Sequence, residues 1–283
     1  VLMPIGLDHM EYLGETIEEI ARTKAGIIKP ESHVVLAAQE PEVARILLEK
    51  VVEKSAIPYR EGLEFALIKR DIAVGGQLIS VRGVHSEYTD IYLPLHGAHQ
   101  AANAAVAIAT VEAFVGVALD EELVRAAFAG VSSPGRLEIL HRDPTVIIDA
   151  AHNPHGAAAL ADTIRNEFDF ESIFCVLGIL GEKDVKGVLK ALEPVVDRLI
   201  VTKSDSPRAL PVAELFAEAV QVFGNDRVFK EDDLNSAITY AMEQATLINQ
   251  VSDGVSAVVI TGSVVTAGSA REILRKIGKS EAK

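Results

Sequence analysis

The sequence predicts an α/β protein built as two units, the second around a mostly parallel sheet with helices on both faces. Three observations carry this. After about residue 135, apolar runs of strand length ("TVIID", "SIFCVLGI", "RLIVT", "AVVIT") alternate with helical patterns. Such alternation is the mark of a parallel sheet covered on both sides. Before that point the pattern is mixed, and "SSPG" (132–135) is a turn-rich break between the two styles. The chain has 283 residues, nearly half of them apolar, enough for two ordinary cores.

The first unit opens in an apolar run, and residues 1–5 read as the end of a buried strand. With neither an initiator Met nor a polar tail, this start reads as a cut inside a larger domain, with sequence expected upstream. "IEEIARTKAGII" (17–28) is an amphipathic helix. Thr16 with Glu19 supplies a capping box, and Pro30 is expected to close it. "HVVLAA" (33–38) is a short buried strand, and a helix starts at Pro41. Residues 61–95 carry Gly75-Gly76 between alternating segments, as an antiparallel hairpin region does. An Ala-rich helix follows from "GAHQAAN", then a second from Asp120 to Ala129.

In the second unit, helical patterns fall at about 155–168, 184–192, 211–223, 232–247 and 264–277. No internal repeat or low-complexity segment is present. The net charge of −14 argues against a nucleic-acid surface. The single cysteine, Cys175, fits a reducing compartment. No stretch reads as a membrane span or a signal peptide, so a soluble cytoplasmic protein is expected.

Several residues stand out chemically. Ile17, Ile20, Ala21 and Ile28 form an apolar stripe, and Lys24 falls on it. A lysine there either snorkels to water or is buried. A buried, neutral amine could add carbon dioxide, and the resulting carbamate suits a divalent cation. His9 follows the first strand, at the end where open α/β sheets bind ligands. Asp149 ends a buried strand, while Asn153 and Pro154 fit the N-cap and first position of the next helix. His152 therefore stands at a helix mouth, a place that favours phosphate. Asp149 and Asn153 read equally well as plain caps. His99, Gln100 and Asn103 lie in the first turns of the Ala-rich helix, where capping is the simpler reading. No Walker-type phosphate loop, G-x-G-x-x-G or zinc spacing occurs, and the Gly-Lys-Ser at 278–280 has nothing suitable upstream.

Taken together, "PIGLDHMEYLGETIEEIARTKAGIIKP", "LHGAHQAANAAVAIA", "PGRLE", "IIDAAHNPHGA" and "VLGILGEKD" resemble, in order, motifs of the folylpolyglutamate synthase/dihydrofolate synthase family of the Mur ligase superfamily. The resemblance implies that 1–133 is the C-terminal part of a central ATPase domain, incomplete here. It implies that 134–283 is a Rossmann-like Mur-type C-terminal domain. By the same resemblance Lys24 would be carbamylated, holding magnesium and the phosphate being transferred, with His9 a further magnesium ligand. Asn103 and Arg136 would contact ATP, Asp149 would lie near the ribose, and His152 would sit where nucleotide and incoming amino acid meet. The activity implied is ATP-dependent addition of L-glutamate to dihydropteroate or a reduced folate through an acyl phosphate, by a monomer whose domains close over the reactants. The family's phosphate loop has no counterpart here, so this chain alone is expected to be inactive. Alternatives are a wall-peptide Mur ligase and a non-catalytic nucleotide-binding module. Where members often carry Tyr-Leu, this chain has Val265 and Thr266.

Overall fold

The computed structural model describes residues 1–7, 10–252 and 254–281, in two compact units, Val1–Ser132 and Ser133–Lys283. His9 lies outside the described residues.

The first unit begins with α1 (Met10–Leu13) and α2 (Ile17–Ala25). The capping box of α2 forms as expected: Glu19 N donates to Thr16 Oγ1 and Thr16 N to Glu19 Oε2, each at 3.3 Å. The helix ends at its C-cap Gly26, short of Pro30. Next come β1 (His33–Leu36), α3 (Pro41–Glu53) and β2 (Ile57–Arg60). β1 and β2 pair in parallel. The opening run is less than a strand: Leu2 makes one parallel bridge to Leu36, and Leu2 and Ile5 are buried. β1 has two apolar faces. Val34 and Leu36 pack with Ile20, Ala21 and Leu47 of the two helices, while Val35 joins a second core.

That second core lies under an antiparallel sheet of β3 (Ala66–Ala73), β4 (Gly76–Arg82) and β5 (Glu87–Leu93). It is completed by α4 (Ala98–Val115), followed by α5 (Glu121–Ala129). The alanines of α4 at 101, 104, 105 and 109 are buried, and their small side chains let the helix approach the sheet closely.

The second unit runs β6 (Glu138–Arg142), β7 (Thr145–Ile148), α6 (Pro154–Glu167), β8 (Ser172–Leu177), α7 (Val185–Leu192), β9 (Arg198–Val201), α8 (Val212–Phe223), β10 (Val228–Lys230), α9 (Leu234–Val251), β11 (Ser256–Thr261) and α10 (Val264–Glu281). Its six strands lie in the order β10-β9-β8-β11-β7-β6, parallel except for the antiparallel edge strand β6. Alternate residues serve opposite cores. In β7, Ile147 packs with α6, α7 and α8, whereas Val146 and Ile148 pack with α9 and α10. Buried on both faces, these strands carry continuous apolar runs. β2, β6 and β10 escaped the sequence reading because they are short or only half buried. No helix among the described residues is long and apolar enough to cross a membrane.

Candidate functional site

In the second unit, parallel neighbours β7 and β11 send their following helices to opposite faces of the sheet. α6 packs on one core and α10 on the other. Such a switch point opens a crevice at the carboxyl ends of the strands. Asp149, Ala150, Ala151 and His152 lie there, beyond the end of β7. Ala151 O accepts from Gly262 N at 3.0 Å and from Thr261 Oγ1 at 3.3 Å, tying the end of β7 to that of β11.

Asp149 is 8% exposed. Its Oδ2 accepts from Leu137 N at 2.9 Å and its Oδ1 from Ala151 N at 2.8 Å. Burial pushes its carboxyl above the ordinary aspartate range; the two amides and the charges of Arg136 and His152 pull the other way. The caps and the candidate site are therefore one piece of structure here. Leu137 is buried with φ at +50°, a left-handed conformation that costs a non-glycine residue about 1–3 kcal/mol. The Asp149 carboxylate holds that turn. Arg136, beside it, is exposed.

His152 is half-buried, and its Nδ1 lies 2.9 Å from Ala150 O. A carbonyl only accepts, so Nδ1 carries a proton, and in the neutral ring Nε2 is then the acceptor. Asn153 caps α6 as its position suggests: its Oδ1 accepts from Gly156 N at 2.8 Å, with Pro154 in the first turn. The α6 mouth thus lies one residue beyond His152, and its dipole favours an anion there.

The first unit holds the other candidates. Asn103 is exposed on α4, and its Nδ2 donates to Gln100 Oε1 at 3.3 Å. The α4 mouth is set from below by Gln77, wholly buried, whose Nε2 donates to Leu95 O at 2.8 Å and Gly97 O at 3.1 Å. Nothing in the sequence marked Gln77 for this. Of the two readings left open for Lys24, snorkelling and burial, the structure excludes burial: Lys24 is exposed. The α2 residues buried against α3 and β1 are Ile20, Ala21 and Ala25. Lys24 lies in the last turn, and its long stem carries the ammonium to water, as the snorkelling reading had it. Among the described residues no three His, Cys, Asp or Glu side chains converge as a metal site.

One contact was missed in the second unit. Arg271 of α10 pairs with Glu138 at the start of β6, its Nε 2.9 Å and 3.0 Å from the two carboxylate oxygens. Glu138 lies in the "PGRLE" motif; nothing pointed to Arg271, 133 residues away.

The family pattern for the Mur ligase middle domain matches residues 1–111, and that for the Mur ligase glutamate ligase domain matches residues 135–264. The dihydrofolate synthase/folylpolyglutamate synthase of Mycobacterium tuberculosis is 49% identical over 96% of this chain and 59% of its own length. The Bacillus subtilis protein of the same name is 34% identical over 76% of this chain and 51% of its own. A crystal structure of M. tuberculosis folylpolyglutamate synthase complexed with ADP and AMPPCP superposes with a TM-score of 0.93 at 50% identity, over 96% of this chain and 62% of that one. Escherichia coli FolC in complex with DHPP and ADP gives 0.80 at 28% identity, over 96% and 60%. The chain thus spans less than two thirds of the length of each of these relatives. With both domain patterns matched in order and a relative identical at almost half the aligned positions, the chain belongs to the Mur ligase family, in its folylpolyglutamate synthase/dihydrofolate synthase branch.

Proposed function

We propose that this chain carries part of an ATP-dependent amide ligase that joins L-glutamate to dihydropteroate, to a reduced folate, or to both. The observation that carries the reading is the fixed Asp149–His152 turn at the carboxyl end of β7, in a chain half identical to a synthase complexed with ADP. In this reading 1–133 belongs to the central ATPase domain and 134–283 is the C-terminal domain. Asn103, Arg136 and Asp149 bind the nucleotide. The γ-phosphoryl group passes from ATP to the folate carboxylate, releasing ADP. The glutamate amine then attacks the acyl carbon, the amide C–N bond forms, and the acyl–oxygen bond breaks as phosphate leaves. The attacking ammonium must first lose a proton, and His152 in its neutral form, with a proton held on Nδ1, can take it on Nε2. Burial of Asp149 and the α6 mouth beside His152 favour an ordered, poorly hydrated reaction centre.

Magnesium belongs to this reading through the family alone. The described residues do not by themselves make up a magnesium site. Lys24, as a carbamate, and His9 are the residues proposed to hold it. Lys24 is exposed among the described residues, so its carbamylation rests on the resemblance and on lysine chemistry. A monomer working in the cytoplasm completes the proposal.

The test is an assay of the complete gene product with ATP, glutamate and either dihydropteroate or tetrahydrofolate, following glutamate-dependent ADP release. Turnover with at least one acceptor is expected, and none with either overturns the reading. Lys24→Ala should abolish turnover, with partial rescue by a small carboxylate. Lys24→Arg should stay inactive, since a permanent cation forms no carbamate; normal turnover by this variant removes Lys24 from the site.

A further inference from the structure

The geometry points to Arg271 as a positioning residue that, through Glu138, holds the 133–137 turn in the shape that presents Arg136 and keeps Leu137 N on Asp149. The inference rests on the proposed nucleotide-binding role of Arg136 and Asp149 and adds to it a residue from a distant part of the chain.

The turn has two left-handed residues in three, Gly135 at φ +72° and Leu137 at φ +50°. Glycine takes this conformation freely, but Leu137 persists in it only when its surroundings fix it. On the β7 side, Ala150 N donates to Gly135 O at 2.8 Å and Leu137 N to Asp149 Oδ2. On the other side, Gly135 N donates to Glu138 Oε2 at 2.9 Å. A glutamate side chain has rotamer freedom of its own, and it is Arg271 Nε that pins both of its oxygens. The pair is well shielded, at 27% and 21% side-chain exposure. A cavity of about 330 Å³ lies against Gly135, Ala150, Ala267 and Arg271, and beside it Gly135 approaches α10 closely: a Cβ there would meet that of Ala267 at 3.7 Å.

The role is read from ADP affinity, measured by calorimetry on the complete gene product, beside melting temperature. Arg271→Met keeps the stem and removes the charge; affinity is expected to fall roughly tenfold, equivalent to about 1.4 kcal/mol. Arg271→Lys should recover most of it, and Glu138→Gln, which keeps an acceptor for Gly135 N, should fall between. Arg136→Ala should weaken ADP by itself, and adding Arg271→Met to it should cost little more, because both act through one turn. If Arg136→Ala leaves affinity unchanged, the nucleotide reading fails and this inference with it. If Arg136→Ala weakens binding while Arg271→Met does not, or the two effects add in full, the positioning role alone is overturned. Should Arg271→Met not fold, Arg271→Lys and Glu138→Gln decide by the same comparison. Equal loss of affinity in the Lys and Met variants, or unchanged affinity in Glu138→Gln, overturns the role.

Discussion

Removing the Asp149 carboxylate strands two amides at once, Leu137 N and Ala151 N. A buried amide left without a partner costs about 1–3 kcal/mol, so Asp149→Ala should destabilise the protein by about 2–4 kcal/mol. Asp149→Asn keeps one acceptor oxygen and should cost roughly half as much. The pH dependence has a definite sign. Burial raises the folded pKa above the unfolded value of about 3.9. The resulting stability is fully present below that value and is lost as pH rises through the folded pKa. The gap between wild type and Asp149→Asn should therefore be widest in acid and shrink toward neutrality. Urea unfolding of both proteins across this range measures it; a gap that widens with rising pH would contradict the account. Lys24 teaches a complementary lesson. Helical spacing put it on the apolar stripe, but spacing does not say how far a long side chain reaches.

At the scale of elements, α4 is fastened at both ends by buried polar groups. Near its start Gln77 holds Gly97 O, and near its end Glu112 is wholly buried. Glu112 accepts from Tyr88 Oη at 2.6 Å, from His85 N at 3.2 Å and from Val84 N. A Cβ at Gly83 would run into the same carboxylate, so the β4–β5 turn is shaped around it. Tyr88 Oη in turn accepts from Leu119 N at 2.7 Å, reaching the segment before α5. Tyr88→Phe should therefore cost about 1–3 kcal/mol, since it leaves Leu119 N and one Glu112 oxygen unpaired. Burial, then the bond to Glu112, pushes the Tyr88 hydroxyl up to about 12. Its contribution is fully present below the unfolded pKa of about 10 and is lost as pH rises through 12. Melting curves in alkali should show wild type losing stability over that window faster than Tyr88→Phe; parallel curves would place the tyrosine outside the account.

For the whole molecule, the division at Ser132/Ser133 predicts where proteolysis begins. The second unit has a six-stranded sheet with a core on each face, and such a unit opens as a whole. Brief exposure to a protease of broad specificity should leave a product beginning near Ser133; early cuts inside β7, β8 or β11 would deny that unit its independence. The sequence by itself determined most of the elements, the caps of α2 and α6, the parallel character of the second sheet and, through five ordered motifs, the family. These follow from local patterns: side-chain period, cap chemistry, turn residues, and short strings that keep their order. The tertiary structure alone decided that β11 lies between β7 and β8, that Lys24 is exposed, that Asp149 gives both oxygens to the backbone, and that Arg271 meets Glu138. Each of these depends on which distant segments come together, and no local period, cap or motif encodes a contact made across 133 residues.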